Sequence, residues 1–141
     1  MTIELVPLAT GRVALRPAVL LPDTPSGLRG VSEISAFDLE GDRLRAHMAG
    51  VAAADWFVIS PDATTSTIEV RVTLETDDGA LIYASYTGRM DLTKAPLTVY
   101  STPLFDTGDA RYGWLSRIQA VAKGSFDESL LNLSYDIFEL R

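Results

Sequence analysis

The chain has 141 residues and no cysteine, and its formal net charge is −7, from 12 Lys and Arg against 19 Asp and Glu. This length is typical of one domain, so we expect a single domain over residues 1–141. The lack of cysteine excludes disulfides, thiolate metal sites and cysteine nucleophiles, and it suits a reducing, cytoplasmic compartment. No cluster of Lys and Arg, no apolar run of about 18 residues and no signal-like N-terminus is present, so neither nucleic acid nor membrane is expected as a partner.

Short segments in which apolar and polar residues alternate run along the whole chain, separated by Gly, Pro and Asp. They predict strands near residues 3–8, 12–20, 31–39, 43–49, 55–60, 67–76, 80–87, 97–105, 116–124 and 129–140. Closely spaced short strands of this kind are typical of an all-β sandwich or barrel rather than of βαβ units.

The N-terminal part of the chain contains a predicted loop and two candidate functional positions. Pro22-Asp23-Thr24-Pro25-Ser26-Gly27 is predicted to be a loop, because two prolines and a glycine disfavour a central strand. The only histidine, His47, alternates with Arg45 on its strand, and it is a candidate catalytic base or substrate-binding residue as well as an ordinary exposed side chain. Asp55-Trp56 then opens a strand directly after a run of small residues.

The clearest hairpin runs from Thr67 to Thr87 around the turn Asp77-Asp78-Gly79, in which the glycine takes the left-handed position. Pairing outward from this turn places Thr73 opposite Tyr83 and Arg71 opposite Ser85. One face is then polar, with Glu69, Arg71, Thr73, Glu75, Leu81, Tyr83 and Ser85. The other face is mostly apolar, with Ile68, Val70, Val72, Leu74, Ile82, Ala84 and Tyr86.

A turn and a short helix are predicted near residues 109–115, with Asp109 as the N-cap. Gly113 weakens a longer helix at this point. Tyr112 and Trp114 flank that glycine, and they are expected to plug one end of a barrel or to form a lid that binds substrate at its mouth.

Three segments together resemble the DUF3237 family, also called UPF0311, of small single-domain proteins. The segments are residues 54–56, 73–83 and 105–115, and the similarity extends from about Leu5 to Glu139. The resemblance implies an antiparallel, closed or nearly closed β-barrel of about eight to ten strands, with a lipocalin-like outline and a central cavity. It implies little about activity.

Asp55, Arg71 and Tyr83 are the candidate catalytic residues. Apolar surroundings would raise the pKa of Asp55 toward neutrality and make it a general acid or base. Arg71 and Tyr83 lie on a face that is solvated by default; only if that face points inward could they hold a developing oxyanion opposite Asp55. Trp56, Tyr112, Trp114 and His47 are the candidate substrate-binding residues.

Three functions are compatible with this pattern. The first is an enzyme without a cofactor or metal that transfers protons on a small, mostly apolar, oxygen-bearing substrate, in an isomerase, hydratase, cyclase or lyase type of reaction. The second is a binding barrel that encloses a small hydrophobic ligand, and the third is a structural subunit with a filled interior. No phosphate-binding loop, dinucleotide fingerprint or nucleophile elbow is present, and a homodimer that pairs exposed strand edges is plausible.

Overall fold

The fold is an antiparallel β-barrel with one short helix, seen here in a computed structural model that describes all residues, Met1–Arg141. The strands are β1 (Leu5–Leu15), β2 (Val19–Thr24), β3 (Gly27–Glu40), β4 (Arg45–Met48), β5 (Ala54–Ile59), β6 (Thr65–Thr76), β7 (Leu81–Asp91), β8 (Thr98–Ser101), β9 (Leu104–Asp106), β10 (Ala120–Phe126) and β11 (Asn132–Leu140), with a 3-10 helix at Ala110–Arg117. The all-β class and the barrel expected from the sequence are confirmed.

Eight strands close the barrel, in the order β6, β5, β3, β1, β11, β10, β8 and β7, and β7 pairs again with β6. Strands β2, β4 and β9 are additional: β2 pairs with β3, β4 lies between β3 and β6, and β9 pairs with β7. Full closure leaves the eight wall strands without an open edge.

The β6–β7 hairpin has the register that its sequence predicts. Thr73 lies opposite Tyr83, Arg71 lies opposite Ser85, and Gly79 in the turn has a φ of +90°. Along β6 every second residue from Ser66 to Thr76 is buried, so the apolar face of the hairpin points into the barrel. The polar face therefore points to solvent.

Two local predictions near the start of the chain are wrong. A single strand, β1, spans the segment around Gly11 where a break between two strands was expected. The predicted loop at Pro22 is in part strand β2, which reaches Thr24 before a tight turn to Gly27. Proline is tolerated there because β2 is an edge strand with only β3 as its neighbour.

The interior is filled by side chains. A cluster of 25 buried apolar residues forms the core; most of them come from the wall strands, and one is Leu115 of the helix. A small space beside it has a volume of about 20 Å³ and borders Phe37, Tyr86 and Tyr135. Such a volume holds one water molecule at most. At this place in the core the space is much smaller than the central ligand cavity that the family resemblance implies.

Ser101 and Thr76 provide a test of how buried hydroxyl groups contribute to the core. The Ser101 Oγ atom is buried without a hydrogen-bond partner, whereas the Thr76 Oγ1 atom accepts the Ala80 N–H at 2.8 Å and also donates to Asp78. We expect Ser101→Ala to leave the free energy of unfolding unchanged or raise it by up to about 1 kcal/mol. Thr76→Val, which has the same shape, should lower it by about 1–2 kcal/mol. Urea unfolding of both variants checks this, and a larger loss for Ser101→Ala would contradict it.

Candidate functional site

Asp55 lies on the inner side of the barrel wall, as the second residue of β5. It is opposite Ser32 of β3 on one side and Val70 of β6 on the other, and both of these neighbours are buried. The β5–β6 ladder is interrupted after Asp55, and the Glu69 N–H in this gap donates to Asp55 Oδ1 at 3.3 Å. The carboxyl group thus replaces a missing backbone acceptor while its side chain remains only partly buried.

The surroundings of Asp55 raise its pKa from 3.8 to about 7. Desolvation by burial is the main cause, and the hydrogen bond from Glu69 N–H opposes it only in part. No Lys or Arg side chain forms an ion pair with this carboxyl group. A carboxyl group with such a pKa exchanges its proton near neutral pH.

Two buried tyrosines extend this interior polar region. Tyr86 lies directly opposite Val70, and its ring meets that of Tyr135 edge to face at a centroid distance of 5.8 Å. The pKa of Tyr86 is raised well above its usual value by burial first, then by Tyr135 and by the Asp55 charge. Burial also raises the pKa of Tyr135, and Asp55 adds to this effect. Both hydroxyl groups therefore keep their protons at any pH at which Asp55 titrates.

Glu139, a buried residue of β11, shows the opposite behaviour. Its carboxylate accepts a hydrogen bond from Arg141 Nε at 3.1 Å and one from Arg43 Nη1 at 2.8 Å. The hydrogen bonds from Arg141 and then Arg43 lower the pKa of Glu139. Two carboxyl groups of one barrel thus differ in protonation because one is paired with arginines and the other is not.

Arg71 and Tyr83 do not share the interior with Asp55. Both lie on the outward, polar face of the β6–β7 hairpin, where Tyr83 is 43% exposed. The default expectation of a solvated face therefore holds, and the alternative in which Arg71 and Tyr83 lie opposite Asp55 in the lumen does not. The reason is the alternation in the hairpin itself, since burying Val70, Val72 and Ile82 forces the intervening residues outward.

Trp56 joins Arg71 and Tyr83 on the outside of the barrel. The Arg71 guanidinium carbon lies 4.6 Å from the centroid of the exposed Trp56 ring, within the range of a cation–π contact. All three side chains border one surface groove, which is described below. Three of the residues that the sequence singles out therefore do lie together, but on the outer surface and not beside Asp55.

Tyr112 and Trp114 belong to the 3-10 helix, which packs against the core at one end of the barrel with Leu115 fully buried. Asp109 is its N-cap, as predicted, and accepts the Arg111 N–H at 2.9 Å. The Tyr112 hydroxyl donates to Asp78 Oδ1 at 2.9 Å. These contacts attach the helix to the β6–β7 turn.

Trp114 packs beneath the Arg43 guanidinium, whose central carbon is 4.9 Å from the ring centroid.

His47 is exposed on the outer face of β4, opposite Asp38 and Glu75, and is remote from the interior polar region. No group of three His, Cys, Asp or Glu side chains is arranged to hold a metal ion. No helix in the chain has the length and apolar character required to cross a bilayer.

Sequence reasoning identifies Asp55 but misses Tyr86 and Tyr135. A signal exists for Tyr86, because a tyrosine that alternates with Ile82 and Ala84 on an apolar face places a hydroxyl group inside the core. Tyr135 has the same kind of signal, between Leu133 and Ile137 on β11. Its proximity to Tyr86 depends on barrel closure, which local patterns do not describe.

The protein is therefore a small antiparallel β-barrel, with a packed interior and one inward carboxyl group that has no basic partner. The model of the family described as "Protein of unknown function (DUF3237)" matches residues 3–140, and the chain belongs to this family. Among curated proteins, none matches the sequence.

Solved structures share the fold along the whole chain. A β-barrel-like protein from Acinetobacter baumannii AYE is 27% identical, with a TM-score of 0.89 over 100% of this chain and 98% of that one. A protein of unknown function from Rhodopseudomonas palustris is 20% identical, with a TM-score of 0.89 over 100% and 99% of the two chains. An enzyme from Penicillium herquei is 18% identical, with a TM-score of 0.72 over 99% and 94%. The last two show the likeness of fold alone.

Proposed function

We propose that this barrel is a cofactor-free enzyme in which Asp55 transfers a proton to or from a small, mostly apolar substrate that carries an oxygen function. The observation that supports it most strongly is the pKa of Asp55, about 7, in a partly buried carboxyl group without a basic partner. At neutral pH such a group is present in both protonation states, so it can act as base and as acid within one cycle. Isomerisation, hydration or dehydration, cyclisation and lyase chemistry all require such a group.

In this proposal Tyr86 and Tyr135 stabilise the developing oxyanion, which is the role that the sequence analysis considers for Arg71 and Tyr83. Their raised pKa values keep both hydroxyl groups protonated, so each can donate a hydrogen bond to oxygen that gains negative charge. The charge of Asp55 makes a small contribution to raising both pKa values, which supports a shared role for the three groups. The existence of an enzyme with this fold in Penicillium herquei is in keeping with the proposal.

The two alternatives fit the interior less well. A barrel that only encloses a hydrophobic ligand needs an apolar lining, and an inward carboxyl group with a pKa of about 7 serves no purpose in it. A purely structural role for Asp55 accounts for its hydrogen bond with Glu69 N–H. It offers no reason for an acidic side chain there, because asparagine presents the same acceptor oxygen.

Ring opening of 5-nitrobenzisoxazole tests the proposal, because this reaction needs only a base. The base removes the ring C–H proton while the N–O bond breaks, and the electron pair leaves on oxygen as a coloured phenolate. We expect the protein to accelerate it with a rate that rises with pH to a plateau above about 7. Asp55→Asn should reduce this rate about 100-fold or more.

Asp38→Asn is the matched control, since it makes the same change at an exposed outer position of β3 and should leave the rate unchanged. Circular dichroism and thermal unfolding establish that both variants are folded. A rate that Asp55→Asn leaves intact, or one with no inflection near pH 7, would rule Asp55 out as the base.

A further inference from the structure

A groove on the outer wall of the barrel has the features of a second ligand site. It has a volume of about 660 Å³ and is bordered by Trp56, Arg71 and Tyr83 and by the apolar side chains of Met48, Val51 and Ala52. This volume is within the range of small-molecule sites in proteins. The β4–β5 connection forms one of its sides, so the groove is shaped by a loop as well as by the sheet.

The Arg71 guanidinium is held in this groove but has no partner. Its flat face lies over Trp56 at 4.6 Å, and it makes no hydrogen bond or ion pair with another side chain or with the backbone. A guanidinium stacked in this way keeps its N–H groups directed sideways, in the geometry that binds both oxygens of a carboxylate. Asp55 cannot fill this role because its carboxyl group is on the inner side of the wall.

The charges that border the groove favour an anion. Glu33 is its only carboxylate, and Arg16 lies 3.8 Å from it as a partner. Arg71 is therefore the uncompensated charge, in a protein whose net charge is −7. Exposed Trp56 and Tyr83 rings beside an apolar wall are suited to a flat apolar group.

We propose that this groove binds a planar aromatic carboxylate, with both carboxylate oxygens on Arg71 and the ring against Trp56 and Tyr83. The site is independent of the proton transfer proposed for Asp55, because the two groups lie on opposite sides of the wall. A small ligand rather than a protein surface is favoured because the polar contact is a single stacked guanidinium at the edge of a narrow apolar groove.

The test uses 2-naphthoate as probe, with affinity measured by isothermal titration calorimetry and the position by the NMR shift of the Trp56 indole N–H. We expect saturable binding that shifts Trp56 and not Trp114. Arg71→Gln should weaken binding at least 10-fold, as should replacing the probe by neutral 2-naphthamide. Arg71→Lys, which keeps the charge but not the two-pronged geometry, should give an intermediate loss.

Arg89→Gln is the matched control, since Arg89 is exposed on β7, forms no ion pair and does not border the groove. It should bind 2-naphthoate as the unaltered protein does. Asp55→Asn should do so as well, which separates this proposal from the enzymatic one. Absence of saturable binding, an unchanged affinity in Arg71→Gln or an equal loss in Arg89→Gln would overturn the proposal. So would sedimentation showing that the groove is covered in a stable dimer that Arg71→Gln dissociates.

Discussion

Replacing Asp55 with asparagine is expected to stabilise the protein increasingly as the pH rises from 4 to 8. The difference in the free energy of unfolding between the variant and the unaltered protein should grow by about 4 kcal/mol over this range. The reason is the pKa of Asp55, which is about 7 in the fold against an ordinary value of 3.8. Asparagine keeps the oxygen that accepts the Glu69 N–H but carries no charge at any pH.

The sign follows from proton binding. Below pH 3.8 the carboxyl group is protonated in both the folded and the unfolded state and contributes no pH dependence. Between pH 3.8 and 7 the folded state holds more protons, so the stability of the unaltered protein falls as the pH rises. Above pH 7 the whole cost of ionising a partly buried carboxyl group is present, and only the variant avoids it.

Urea unfolding at intervals of one pH unit measures this difference and cancels the contributions that both proteins share. Asp127→Asn is a control with the opposite sign, because hydrogen bonds from Ser129 and then Asn132 lower the pKa of Asp127. Its variant should lose stability relative to the unaltered protein as the pH rises through the acid range. A difference for Asp55→Asn that does not change with pH would mean that Asp55 titrates as an ordinary exposed carboxyl group.

Local patterns predict the β6–β7 hairpin well because its information lies within about 20 consecutive residues. The glycine at position 79 defines the turn, and strict alternation defines both faces. The break expected within β1 fails for the opposite reason. Gly11 stays in the strand because Leu39 and Ile137, from two neighbouring strands, pack closely against it.

The residues of the candidate site also differ in whether local sequence patterns can identify them. Asp55 can be found from the sequence, since a carboxylate that opens an apolar strand is unusual wherever that strand lies. Tyr135 cannot be assigned to it, because the β11 strand reaches this region only through pairing with β1 and β10. The size of the interior space is also beyond sequence patterns. Whether side chains fill a barrel depends on their combined volume across all eight wall strands.

A single methyl group at Gly27 is expected to destabilise the barrel strongly. Gly27 has a φ of +119°, which L residues with a side chain rarely adopt. A Cβ atom there would lie 2.1 Å from the Ile59 carbonyl oxygen, a backbone atom of the adjacent strand β5. Strand β5 cannot move away without breaking its pairing with Leu28 and Ser66. We expect Gly27→Ala to lower the free energy of unfolding by about 3 kcal/mol or more.

Gly50→Ala separates the two causes of this loss. Gly50 also has a positive φ, +69°, but nothing lies within 4 Å of a Cβ atom built there. Only the backbone conformation is then unfavourable, at a cost of about 1 kcal/mol. Urea unfolding of both variants at one pH gives the comparison. Equal losses would show that positive φ alone requires glycine at position 27, whereas the larger loss that we expect would show that the contact with β5 is what excludes a side chain.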